Sequence, residues 1–154
     1  MKSINDWLNE YGESHQNPTN KLVHWICVPT IFFSLVGLLY CVKLGIHLLP
    51  NLQINLAMFV VIRVVWYYFR LSRPLAAGMT IFALLCLLLA QMIETSGLVL
   101  WQISLGLFVI AWIGQFWGHS VEGKRPSFYK DLQFLMIGPA WLMSFIYNRL
   151  GLRY

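Results

Sequence analysis

Charge is what this 154-residue sequence most lacks: 11% of its residues are charged, and only 6 are acidic. Soluble domains carry about 25% charged residues, and a soluble globule of this length has more surface than so few charges can cover. An ordinary soluble domain is thereby excluded. So is a disordered chain, since 58% of the residues are hydrophobic. Cysteine is scarce too: Cys27, Cys41 and Cys86 lie in or beside apolar runs without CxxC spacing. They form no disulfide scaffold or zinc motif, and read as small apolar fillers. A cleavable signal peptide is not expected, because MKSINDWLNEYGESHQNP is polar and mildly acidic. No internal repeat is visible, which places a small transporter last among membrane functions.

What remains is a set of long apolar runs, and they predict a single all-α, polytopic membrane domain over residues 1–154. A bilayer-spanning helix needs about 20 mainly apolar residues. Residues 75–93, opening after Arg73-Pro74 and closing at Glu94, meet this most cleanly, followed by 98–117 and by 22–42, which carries Pro29. A fourth span is expected over 54–69, the most polar because it holds Arg63. Residues 132–147, interrupted by Gly138-Pro139, predict a short re-entrant or interfacial helix.

Lys and Arg number 11 against 6 acidic residues, and in this setting the excess predicts topology and contact with anionic lipid, not nucleic acid. With the N-terminus in the cytoplasm, Lys2, Lys21, Arg70, Arg73, Lys124, Arg125 and Lys130 share that side, and Lys43 stands alone opposite. The same topology brings His15, His24, His119 and Glu122 to the cytoplasmic face and leaves His47 on the other. No obligatory protein partner is evident.

Two clusters carry the chemistry. In the first, Asn17-Pro18 reads as a helix start, with Asn17 as N-cap, so the chain can fold His15 back toward His24. Asn20, one turn before His24, is placed to orient its ring. In the second, Gln115, His119 and Glu122 share a helical face, and His119 and Glu122 at i, i+3 can bind one ion. Histidines with one carboxylate suit non-heme Fe(II), and zinc accepts the same ligands. The bland alternatives are helix capping and headgroup contact for the histidines, and pairing of Glu122 with Lys124 or Arg125. As a set on one face, His15, His24, His119 and Glu122 favour a metal site, with Asn17, Asn20 and Gln115 around it. For His47 the bland reading wins. Four histidines in all are too few for a dinuclear desaturase-type centre. Arg63, costly inside a span, reads first as snorkelling or paired, and second as a receptor for a substrate carboxylate. Arg70 and Arg73 read first as topology determinants and second as contacts for an acidic lipid head.

These clusters, as His15-x-Asn17-Pro18-x-Asn20-x-x-x-His24, Val28-Pro29-Thr30 and Trp112-Ile113-Gly114-Gln115-Phe116-x-Gly118-His119-x-x-Glu122, resemble the family of small membrane 2-hydroxy fatty acid dioxygenases known from fungi, with bacterial relatives. Arg125-Pro126 and Gly138-Pro139 fit the family's C-terminal part. The resemblance covers essentially the whole chain. It implies oxidation of a 2-hydroxy fatty acid, with one Fe(II) per chain and O2 as co-substrate, to an acid one carbon shorter, a step in phytosphingosine breakdown in the eukaryotic members. It implies His15, His24 and His119 as the matching histidines and Glu122 as the matching acidic position. The competing class is a non-enzymatic membrane protein whose polar face binds lipid headgroups.

Overall fold

The computed structural model describes residues 4–13, 15–50, 52–121, 123 and 136–152. In chain order they form α1 (Ile4–Glu13), α2 (Pro18–Tyr40), β1 (Lys43–Leu49), β2 (Leu52–Asn55), α3 (Leu56–Leu71), α4 (Arg73–Thr95), α5 (Leu100–Val121) and α6 (Ile137–Arg149). Local chemistry sets the helix starts. Asn17 caps α2 by accepting the Thr19 N–H at 2.8 Å, with Pro18 at the first helical position. Asn55 and Ser72 cap α3 and α4 in the same way, each satisfying a backbone donor that a helix start leaves open. Helix α2 runs through Pro29 without interruption.

Helices α2, α4 and α5 are long and apolar enough to cross a membrane. Their outward faces are apolar as well: Ile26, Ile81, Leu84, Leu85, Leu88, Ile110 and Ile113 are all exposed. A water-soluble protein does not leave so continuous an apolar exterior. The expected fourth span is helical, but at 16 residues it covers only about 24 Å, less than the roughly 30 Å hydrocarbon core. Helix α6 has 13 residues; the expected start of this segment, 132–135, lies outside the described residues.

One element departs from the all-helical expectation. Residues 43–49 and 52–55 form an antiparallel hairpin, β1 with β2, in the register Lys43↔Asn55 and His47↔Gln53. Its first strand alternates Lys43, Gly45 and His47 with Leu44, Ile46 and Leu48, the period-two pattern of a strand. Lys43 pairs with Glu94 at 2.8 Å and lies 3.9 Å over the Tyr40 ring, tying the hairpin to α4 and α2. Helix α1 is an addition to the expected elements, too polar to register as a span. Its signal is Ile4, Leu8 and Tyr11 at i, i+4 and i+7, all three buried in the main core.

The α2–α5 seam positions the site. The two helices run antiparallel and meet at small residues: Gly37 against Ser104, Cys27 against Gly114, and Asn20 against Gly118. A Cβ at Gly118 would lie 2.6 Å from Asn20 Oδ1, and one at Gly114 would lie 2.7 Å from Cys27 Sγ. Close backbone approach through small residues is how apolar helices associate where there is no hydrophobic drive between them. On the other side of the bundle, Ala76, Met79, Ala83, Cys86 and Ala90 form the buried stripe of α4.

Candidate metal centre

The turn between α1 and α2 builds the first half of the site. The Gly12 carbonyl accepts the His15 backbone N–H at 3.0 Å and the Gln16 Nε2–H at 2.6 Å. The chain reverses there, Asn17 starts the next helix, and His15 is folded back onto His24. Helix α5, held close through Gly114 and Gly118, supplies His119. The three rings converge, with centroids 4.2 Å apart for His15–His24, 5.4 Å for His15–His119 and 5.2 Å for His24–His119. They are 2%, 1% and 6% exposed in chain order, and each offers a ring nitrogen within 4.8 Å of the other two. Three residues from two separate regions of the chain thus form a group able to hold a metal ion.

The hydrogen bonds orient two of the rings. His15 Nδ1 lies 2.6 Å from the Tyr11 carbonyl, and His24 Nδ1 lies 2.9 Å from the Asn20 carbonyl. A carbonyl oxygen only accepts, so both Nδ1 atoms carry the proton and both Nε2 atoms present lone pairs. Those two Nε2 atoms face each other at 2.9 Å. Two lone pairs at that distance repel unless a cation stands between or beside them. A proton shared between them or a bound metal ion relieves that repulsion. A metal ion satisfies both nitrogens, and an Nδ1–H donated to a backbone carbonyl is the usual orienting bond of a ligating histidine.

Aromatic residues complete the enclosure. Tyr11 stacks on His15 with centroids 4.2 Å apart and planes 15° from parallel. Trp141 of α6 lies 5.2 Å from Tyr11 and 5.6 Å from His15. Gly138 lets α6 approach, since a Cβ there would sit 3.1 Å from the Tyr11 hydroxyl and 3.3 Å from Val28. Neither Tyr11 nor Trp141 is among the sequence-predicted residues. For Tyr11 a signal exists, its i, i+4 spacing to His15; for Trp141 only the packing of α6 reveals the role.

This arrangement is found in a chain that matches, over residues 1–150, the family described as 2-hydroxy-palmitic acid dioxygenase Mpo1-like. The chain belongs to that family. A curated relative is the 2-hydroxy-palmitic acid dioxygenase MPO1 of Saccharomyces cerevisiae, 34% identical over 153 residues, which cover 98% of this chain and 83% of the yeast protein. No solved structure matches the chain.

Within this family member the other expected site residues fall in different places. Asn20 orients His24 through its backbone carbonyl, and its wholly buried side chain packs on Gly118. Asn17 acts as the cap that lets His15 turn back. Gln115 is buried one turn before His119, and its Oε1 has no hydrogen-bond partner among the described residues. Glu122 lies outside the described residues. The arginines are not brought to the histidines by any described hydrogen bond or ion pair. Arg70 sits 5.6 Å over the Trp66 ring and Arg73 5.7 Å over the Phe69 ring, while Arg63 lines a hollow with Trp7 and Tyr67. His47 hydrogen-bonds Gln53 in the hairpin at 2.9 Å.

Proposed function

We propose that this protein is a membrane-embedded dioxygenase that oxidises a 2-hydroxy fatty acid to the acid one carbon shorter, with His15, His24 and His119 holding Fe(II) and Glu122 completing the ligand set. The observation that carries the reading is the pair of facing Nε2 atoms at 2.9 Å, a contact that a bound cation makes favourable. Family membership and the yeast relative's activity support the substrate class.

Bound iron would supply Lewis acidity and the redox capacity to react with O2. The chain's own residues do the rest. Tyr11 and Asn20 hold the protons of His15 and His24 on Nδ1, keeping both Nε2 atoms available. Tyr11 and Trp141 exclude water from one side of the cluster, and the α2–α5 seam closes another. Gln115 is placed to hydrogen-bond the hydroxyl or carboxyl of a substrate head. The reaction balances with one O2: the carboxyl carbon leaves as CO2, the hydroxyl carbon becomes the new carboxyl, and one water forms.

We place the cluster at the cytoplasmic face, on the basic side of the chain, with α3 as a fourth, short membrane helix and α6 re-entrant or interfacial. A 2-hydroxy acid would then extend its tail into the bilayer and its head toward the histidines. The test is metal analysis of detergent-purified protein alongside turnover of 2-hydroxypalmitate with Fe(II) and O2. About one iron per chain, lost in His15→Gln, His24→Gln and His119→Gln, together with pentadecanoic acid as product, is expected. Folded, metal-free protein that binds lipid equally well with and without these substitutions would establish the headgroup-binding alternative.

A further inference from the structure

Arg63 sits halfway along α3, between the apolar residues Ile62 and Val64 and one turn from Phe59 and Tyr67. A guanidinium on such a helix needs a partner or water. Among the described residues it has no hydrogen bond and no ion pair. It opens instead onto a hollow of about 440 Å³ whose other walls are Trp7 of α1, Val64 and Tyr67 of α3, Met136 and Ile137. Three helices meet there, and Arg63 is the only cation among the described residues of the walls.

The hollow is separate from the histidine cluster. Trp7 and Tyr11 are successive positions on one face of α1, as Ile137 and Trp141 are on α6. The hollow is lined by the first of each pair, and the wall against His15 by the second. A full helical turn, about 6 Å, therefore separates the two sites along both helices, with the Tyr11 and Trp141 rings between. None of the three histidines is among the described residues that line the hollow.

We propose that this hollow is a second, independent site that takes the anionic head of an amphiphile, a phosphate or a carboxylate. Arg63 receives the anion through its planar fork of donors. Trp7 and Tyr67 flank it in the manner of aromatic residues at a membrane interface, and Val64 and Ile137 cover the first carbons of the chain. Because α1, α3 and α6 all border the hollow, its occupant braces α1, the helix that carries Tyr11 and leads into His15.

Detergent-purified full-length protein is titrated separately with short-chain phosphatidylglycerol, phosphatidylcholine, an unsubstituted saturated fatty acid and inorganic phosphate, and bound molecules are counted by native mass spectrometry. One phosphatidylglycerol or fatty acid per chain is expected, with phosphatidylcholine and inorganic phosphate binding more weakly. Arg63→Gln should weaken the tighter amphiphile about tenfold, the loss expected for one charge-assisted contact, and Arg63→Lys should recover most of it. Arg70→Gln and Arg73→Gln should leave it unchanged. Metal content unchanged in Arg63→Gln would show that the chain is folded and that the two sites are distinct. Equal binding by wild type and Arg63→Gln, equal losses in all three arginine variants, or inorganic phosphate binding as tightly as the lipid would overturn the proposal.

Discussion

Replacing Gly118 by alanine tests whether the α2–α5 seam sets the histidine geometry. The added Cβ would come within 2.6 Å of Asn20 Oδ1 and 3.2 Å of Val23 Cγ1. Carbon does not tolerate the shorter of these, so Asn20 must retreat by about 0.5–0.8 Å to reach an ordinary contact. Asn20 is wholly buried and its carbonyl holds the His24 ring, so the displacement passes to His24 and opens its distance to His119. Overpacking of this kind costs about 1–3 kcal/mol, and disturbing the group that orients a ligand typically lowers metal affinity about 10- to 100-fold. Gly106 on the same helix is the control. A Cβ there meets nothing within 4 Å, so Gly106→Ala should leave metal binding intact and favour the helix by about 0.5–1 kcal/mol. Competition with a chelator measures the affinity, and circular dichroism confirms that both variants are helical. The reasoning fails if Gly118→Ala binds metal as tightly as Gly106→Ala.

Three further outcomes follow from the same packing. Gly114→Ala should also destabilise the seam, because its Cβ would meet Cys27 Sγ at 2.7 Å, and Cys27→Ala in the same chain should restore thermal stability by removing that sulfur. Tyr11→Phe should keep the stack on His15 and most metal binding, whereas Tyr11→Ala should cost about 3 kcal/mol of stability and strip the metal; equal metal content in the two would refute the role given to the ring. Asn17→Ala should cost about 1 kcal/mol at the start of α2, read as a lower unfolding midpoint together with weaker metal binding. By contrast Lys43→Gln should change stability by less than about 1 kcal/mol, because its pair with Glu94 is partly exposed, and should leave metal content unchanged.

Much of this protein was legible locally. The apolar runs located the long helices, and the Asn17-Pro18 pair predicted both the start of α2 and the reversal that returns His15 to His24. The structure shows that cap and that reversal. Local pattern was weaker where an element depends on neighbours. Helix α1 is amphipathic but polar, and only its burial against α6 reveals what its apolar positions do. The hairpin's alternation is short, and α3 starts two residues later than its apolar run because β2 takes the residues before it. Asn20 was expected to orient His24, and the bond between them runs through the Asn20 backbone carbonyl.

The low charge of the whole sequence, the positions of its few histidines and the bias of its basic residues were sufficient to predict a membrane domain with His15, His24 and His119 at one face. They follow from composition and from helical spacing, which one chain carries in full. Tertiary structure alone decided that the His15 and His24 Nε2 atoms face each other, that Tyr11 and Trp141 pack against His15, and that Arg63 lines a hollow with Trp7 and Tyr67. Those outcomes depend on ring orientation and on how closely α2, α5 and α6 approach, and such distances are set by contacts between residues far apart in the chain.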